Sequence, residues 1–442
     1  MSNRISIFQS LRNAISKSLL LILGISLLTY TIVRAASGDL DPTFSGDGKL
    51  TLDIGVWNER ARAVTIQPDG KIIAVGKHYI SYEWGGGESD ILMVRLTSNG
   101  TLDTSFSGDG KLTTDFGEYE MASDVAIQSD GKIVVAGQTC NHRGTCDLAL
   151  IRYNTNGSPD TAFGNNGIVI VDFGGGDNGI VGLAIQPDGK IVVAGYMQNS
   201  GYYDFAVHRF NPNGTPDTTF SGDGMLNTGF GSGRVDVSYD LKIRSGKIVV
   251  AGATCDSNEE NCNFALARYT ANGALDTTFS TDGKLITDFG GDDRGTAIVI
   301  QSNGKIVVAG NSGKPANSSI ALARYNSNGS LDTTFSGDGK VTTNFTPGVQ
   351  ADAWDLVIQT DGRIVVIGST GNKGGRDFAL VRYMSNGSLD TTFGVGGKLT
   401  TDFGGEDEVG MALAIQENGR IIAAGWTFDG GDKDFALARY MP

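Results

Sequence analysis

From Gly38 onward the apolar positions come in short bursts, and none keeps the 3.6-residue period of an amphipathic helix. Four kinds of burst follow one another in a fixed order. In one unit they read GKVTTNF from Gly339, WDLVIQ from Trp354, RIVVIG from Arg363 and DFALVRY from Asp377. Each is the length of a strand. The second and third are separated by a tight turn, QTDGR here and QPDGK or QSDGK elsewhere, whose Asp-Gly pair supplies the positive backbone angles of a two-residue hairpin. The fourth runs into an Asn-Gly turn, as in YMSNGSLDTTF. The pattern predicts four antiparallel strands per unit.

The unit recurs seven times. The Asp of the motif LDTTF stands at Asp41, Asp103, Asp160, Asp217, Asp276, Asp332 and Asp390, a spacing close to 58 residues, and seven runs of the KIVVAG type and seven of the FALARY type accompany it. A four-stranded sheet of this size cannot bury both faces alone, so sheets stacked around an axis are expected. The predicted fold is all-β, a seven-bladed β-propeller. The chain starts with an outer strand, GKLTLDIG from Gly48, that has no inner strands before it, and ends with three inner strands, Met411 to Tyr440, that lack an outer one. Pairing the first with the last three removes two open edges.

A charge pattern supports the same closure. Arg95, Arg152, Arg209, Arg268, Arg324 and Arg382 each precede an LDTTF-type Asp by eight residues, which leaves Arg439 and Asp41 as the one unmatched pair. They are expected to meet, in a partly buried, fork-like contact. LDTTFSGDGKLTTDFG, the IQxDGKIVVAG core and FALARY together resemble the delta-60 repeat family of bacterial extracellular proteins, over Gly38 to Tyr440. The resemblance implies a propeller-like fold and an extracellular setting, and no activity.

Residues 1–35 differ from the rest. Arg4, Arg12 and Lys17 precede an apolar run from Ser18 to Val33 and a small-residue cleavage site, which predicts a secretory signal cut after Ala35 and a propeller over 36–442. The run is short for a membrane span. The whole chain has 35 basic and 49 acidic residues, net −14, and removal of the basic residues of the signal takes this to −18. Such a charge makes nucleic acid and anionic membrane poor partners, so no nucleic acid and no membrane insertion after cleavage are expected.

Candidate chemistry falls on loops. The loops between the third and fourth bursts, which are the second and third strands counted outward from the innermost, vary from unit to unit, while the opposite turns are nearly uniform, so the variable face is the expected binding surface. Acidic residues fall just before the innermost strands: Glu118, Glu120, Asp177, Asp236, Asp292, Asp293, Asp352, Glu406, Asp407 and Glu408. They are expected to ring the channel mouth, with Glu118, Glu120, Asp177, Asp292, Asp293, Glu406 and Asp407 as candidate ligands for calcium. Solubility is the plainer explanation of such residues. Aromatic residues Trp57, Tyr79, Tyr82, Trp84, Tyr202, Tyr203, Trp354, Trp426 and Phe428 lie at or near the same face, with Trp354 read as a packing residue of an innermost strand.

The cysteines form two local pairs, Cys140 with Cys146 and Cys255 with Cys262, read as loop disulfides in an oxidising compartment. Histidines are only three, His78, His142 and His208, too scattered for a metal triad or a Ser/His/Asp set. No catalytic residue and no further cofactor is expected. The reading is a secreted binding or adhesion module for an extracellular glycan or protein. An extracellular polysaccharide hydrolase or lyase, with Glu120 and Asp177 as one carboxylate pair, and a structural spacer of the envelope are the alternatives.

Overall fold

The computed structural model describes residues 35–442 apart from 56–57, 80–87, 118, 173–177, 315–316 and 373. The expected signal segment therefore lies, but for Ala35, outside the described residues. These contain 28 strands and no α-helix. After β1 (Lys49–Leu52), the chain makes six four-stranded meanders. The first is β2 (Glu59–Ile66), β3 (Ile72–Tyr79), β4 (Ser89–Leu96) and β5 (Lys111–Thr114); the second is β6 (Tyr119–Ile127), β7 (Ile133–Cys140), β8 (Cys146–Tyr153) and β9 (Ile168–Val171). The third is β10 (Gly179–Ile185), β11 (Ile191–Asn199), β12 (Tyr202–Phe210) and β13 (Met225–Thr228); the fourth is β14 (Val235–Arg244), β15 (Lys247–Cys255), β16 (Asn263–Tyr269) and β17 (Lys284–Thr287). The fifth is β18 (Arg294–Ile300), β19 (Ile306–Ser312), β20 (Ser319–Tyr325) and β21 (Lys340–Thr343); the sixth is β22 (Ala351–Ile358), β23 (Ile364–Asn372), β24 (Gly375–Tyr383) and β25 (Lys398–Thr401).

The seventh sheet draws on both ends of the chain. It orders β26 (Asp407–Ile415), β27 (Ile421–Phe428) and β28 (Lys433–Tyr440) with β1 outermost, Lys49 lying opposite Ala438 and Leu52 opposite Phe435. Leu40 forms a bridge with Tyr440 just as Pro159 does with Tyr153 inside the chain.

Burial explains the third burst of the pattern. Alternate residues of each second strand enter opposite cores, so Val135 packs toward the first sheet and Val134 toward the third. A strand buried on both faces needs an unbroken apolar run. One such core separates each sheet from the next. Between the seventh and the first it is built of Ala424, Phe435 and Leu437 against Ile72, Ala74 and Leu92.

Every innermost strand carries a β-bulge at the same point, between Ala61 and Ala63 in the first sheet and between Ala353 and Asp355 in the sixth. The bulge pushes a carbonyl toward the second strand, where a glycine stands in all seven units. A Cβ on Gly368 would lie 1.7 Å from the Asp352 oxygen, and one on Gly252 2.1 Å from that of Val237. The recurring glycine of KIVVAG is there because a neighbouring backbone occupies the side-chain position.

The LDTTF motif is the staple between units. Seven Arg Nε atoms lie 2.6 to 2.9 Å from the Oδ2 of their Asp, Arg439 and Asp41 among them at 2.9 Å. Both members of that pair are fully buried, where partial burial was expected. The contact is also not a two-pronged fork, because the other guanidinium nitrogens go elsewhere: Arg439 donates to the Thr43 hydroxyl and to the Ser98 carbonyl in the turn of the first unit. Its plane stacks on Phe44, 5.0 Å from the ring centre. Asp41 also accepts from the Thr43 amide and hydroxyl and pairs with Arg420. Burial would raise its pKa, but the Thr43 donors with Arg439 and Arg420 outweigh it and hold the carboxyl below its usual range.

Candidate functional site

A bulge inserts one extra residue, and the seven inserted side chains converge from all seven units: Arg62, Ser123, Val181, Tyr239, Thr296, Trp354 and Met411. All seven line two cavities, of about 530 and 410 Å³, and so form the waist between them. Trp354 is thus a channel residue, and the expectation that it packs within its strand is corrected: the bulge turns it out of the sheet.

The larger cavity opens toward the variable loops. Besides the waist, it is lined by Tyr196, Tyr203, Gln138, Glu259 and Arg294. Tyr196 and Tyr203 meet edge to face at 5.1 Å. Arg294 donates to the Glu259 carbonyl at 2.9 Å. Burial lowers the pKa of Arg62, and nearby Tyr119, Arg60, Tyr79 and Tyr196 modulate it. Next to it, the Lys77 ammonium donates to the hydroxyls of Tyr79 and Tyr119 at 2.7 and 2.6 Å. Further out, Lys433 sits 3.6 Å from the centre of the Trp426 ring, with Arg60 and Arg376 at 5.4 and 5.8 Å. Burial and the neighbouring Arg60 bring Lys433 down to about 8. A strongly acidic chain has gathered cations at one place.

The smaller cavity holds Asp124, Asp240, Asp355 and Lys242. The carboxylates follow the bulge residue in alternate units, the other units having Ala63, Gly182, Ala297 and Ala412 there. Each Asp accepts the amide of its own next residue and one from the following sheet, Asp124 from Leu183, Asp240 from Ile298 and Asp355 from Leu413, at 2.7 to 3.0 Å. Lys242 pairs with Asp240 at 2.8 Å. Burial pushes Asp124 and Asp355 up to about 7.

The acidic ring expected at the mouth is not what the carboxylates form. Glu118 and Asp177 lie outside the described residues, so the Glu120 and Asp177 pair is not described. Glu120 is 1% exposed and accepts from Thr139. Asp236, Asp293 and Glu408 are fully buried and accept the amides of Phe230, Phe289 and Phe403, bracing the loop that leads into each innermost strand. Asp352 accepts from Ser318 and Gln350. Asp407 takes both prongs of Arg376, at 2.7 and 2.6 Å. Asp292 accepts the Cys262 amide beside Arg294, and Glu406 alone of these is exposed. A carboxylate next to a chain of unpaired amides is drawn inward, and sequence shows the charge without the amides.

Cys140 is bonded to Cys146 and Cys255 to Cys262, each across the end of a hairpin, and Cys255 borders the mouth. His78 ends a strand and pairs with Glu59 at 2.7 Å. Trp57, Tyr82 and Trp84 lie outside the described residues. Sequence reasoning missed Arg62, Lys77, Tyr119, Tyr196, Tyr239 and Arg294. One signal was available: the bulge position holds seven different residues in an otherwise repetitive strand.

A family model described as "Domain of unknown function (DUF5122) beta-propeller" matches residues 67–106, 128–163, 186–220, 244–279, 301–335, 359–393 and 416–442, together more than half of the chain. No curated protein is similar to the chain. Among solved structures, the polysaccharide lyase Uly1 is similar at 11% identity over 92% of this chain and 97% of its own, with a TM-score of 0.51. A protein of unknown function from Dyadobacter fermentans is similar at 11% over 89% and 99%, TM-score 0.48, and Sqt1 of Chaetomium thermophilum at 10% over 92% and 98%, TM-score 0.48. Such identities speak of fold alone.

Proposed function

Since the chain belongs to the DUF5122 beta-propeller family, whose function is unknown, we propose from its own geometry that it is a closed, secreted seven-bladed propeller that binds an anionic glycan at the channel mouth without transforming it. The observation that carries this reading is the make-up of the 530 Å³ cavity, where Tyr196, Tyr203, Tyr239 and Trp354 stand beside Arg62 and Arg294. Sugar rings stack on aromatic faces, and guanidinium groups take carboxylate or sulfate in two-pronged fashion. An acidic molecule repels polyanions in general, so cations gathered at one mouth favour entry there. Two disulfides support an extracellular setting, as does the leader-like segment at 1–35, and no helix among the described residues is long and apolar enough to cross a membrane. Closure is supported by the core between seventh and first sheets.

The test is calorimetric titration with uronate-bearing and sulfated oligosaccharides. Trp354→Ala and Arg62→Gln should each weaken binding at least tenfold with the melting temperature kept. Wild-type affinity in both variants would refute the site.

One observation favours a second reading, a polysaccharide lyase. Lys77 holds the hydroxyls of Tyr79 and Tyr119 beside Arg62. In a β-elimination one such hydroxyl would relay the proton taken from the carbon next to a carboxylate that an Arg neutralises, while the bond to the departing sugar breaks and that sugar's oxygen takes up a proton. Release of unsaturated uronate from a glycan, abolished in Tyr119→Phe, would establish this reading; intact glycan after long incubation would exclude it.

A further inference from the structure

We infer that the junction between the sixth and seventh sheets holds a calcium ion on Asp377, Asp402 and Glu408, and that two other junctions repeat the site. Asp377 lies in β24, Asp402 just beyond β25 and Glu408 in β26. One carboxylate oxygen of each lies within 4.8 Å of the others. Calcium binds oxygen at about 2.4 Å, so two oxygens on one ion lie at most about 4.8 Å apart, and the spacing of these three is within that limit.

A second observation is independent of the clustering. Glu408 is fully buried, and its Oε1 accepts the amides of Phe403 and Gly405, both at 2.9 Å. Its Oε2 is equally buried, and no group among the described residues donates to it. An ionised oxygen without a donor is costly in an interior, and a missing cation is among the few explanations. Lys49 gives its ammonium to the Asp402 carbonyl, at 3.0 Å, and not to its carboxylate.

The same three positions of the repeat converge again between the first and second sheets, as Asp90, Asp115 and Glu120, and between the seventh and first, as Asp434, Asp53 and Glu59. At the second of these the Glu59 Oε2 and the Asp434 Oδ1 are likewise buried without a donor among the described residues; at the first no carboxylate oxygen is. At the remaining junctions the set is broken, by Asn178, by Gly229, by Asn263, and by Ser319 with Asn344; Asp147, Asp236 and Asp293 keep a buried oxygen without a donor there, but among the described residues no three carboxylates converge on it. Three hard oxygen donors, with neither thiol nor imidazole in the sixth junction, suit calcium and not zinc. Each ion would tie the outer loop of one sheet to the innermost strand of the next.

The test uses the full chain stripped with chelator. Calorimetry with calcium alone should give a stoichiometry near three, and calcium should raise the melting temperature by several degrees. Asp377→Asn and Asp402→Asn should each lose one ion. Asp288→Asn, at a junction already broken, should lose none. Glu408→Gln, which keeps an oxygen for the two amides, should lose one ion as well. Absence of calcium binding, or an unchanged stoichiometry in both Asp377→Asn and Asp402→Asn, would overturn the site. Equal binding of magnesium would overturn its assignment to calcium.

Discussion

Arg439 shows how much one side chain does in this molecule. Its guanidinium holds the Asp41 carboxylate, the Thr43 hydroxyl and the Ser98 carbonyl while lying on the Phe44 ring. Lysine offers one point charge and no plane. Arg439→Lys should therefore lower stability by about 3 kcal/mol, since both partners are buried, read as a clear fall in melting temperature; a melt identical to the parent would remove the pair as a staple. The pairing itself was legible from the eight-residue spacing of Arg and Asp, but the carbonyl and hydroxyl partners were not, because they belong to turns whose path the spacing does not give. The Asp side has a pH signature. Burial alone would raise Asp103, yet the Ser105 hydroxyl and amide, Lys71 and Arg95 hold it at about 2. A carboxyl depressed on folding stabilises above its unfolded pKa of about 3.9 and loses that contribution as pH falls toward 2. Melting temperature should accordingly drop steeply between about pH 4 and 2, and Asp103→Asn should drop less over that interval.

Strands were the most legible level, because period, hairpin turns and repeat all agreed. Bulges were not legible, although their consequence was printed seven times as the glycine of KIVVAG. Gly368→Ala would drive a methyl to 1.7 Å from a carbonyl, and neither strand can retreat with cores on both sides. The expected loss exceeds the roughly 1–3 kcal/mol of ordinary overpacking, visible as poor soluble yield or a collapsed melt. Parent-like stability would mean the bulge can relax. The disulfides are a contrast at the same scale. Each closes a hairpin end across a separation of 6 or 7 residues, so reduction should cost only about 2 kcal/mol and leave the sheet signal in circular dichroism unchanged. Acidic residues were the misread class. Glu120, Asp293 and Glu408 are charged letters before a strand, and only the fold reveals the backbone amides and hydroxyls that turn them inward.

For the molecule as a whole, the channel joins the proposed mouth to a set of carboxylates near neutrality. Burial pushes Asp124 and Asp355 up to about 7, while Asp240 pairs with Lys242. At pH 6 the two are largely neutral, and at pH 8 the channel carries up to two more negative charges. An anionic glycan should bind more weakly at pH 8 than at pH 6, by a factor of a few. A flat affinity profile would separate the mouth from the carboxylates below the waist.

The seventh sheet has a bearing on biogenesis. Its outer strand is made first and its inner three last, so during synthesis or export the leading segment must wait, unpaired, for nearly the entire polypeptide to emerge. Loops that long close slowly. Completion of that sheet is therefore expected late in maturation, and synthesis that stalls before the inner three strands would yield a molecule with most of its sheets formed and an unpaired outer strand ready to stick to a neighbour.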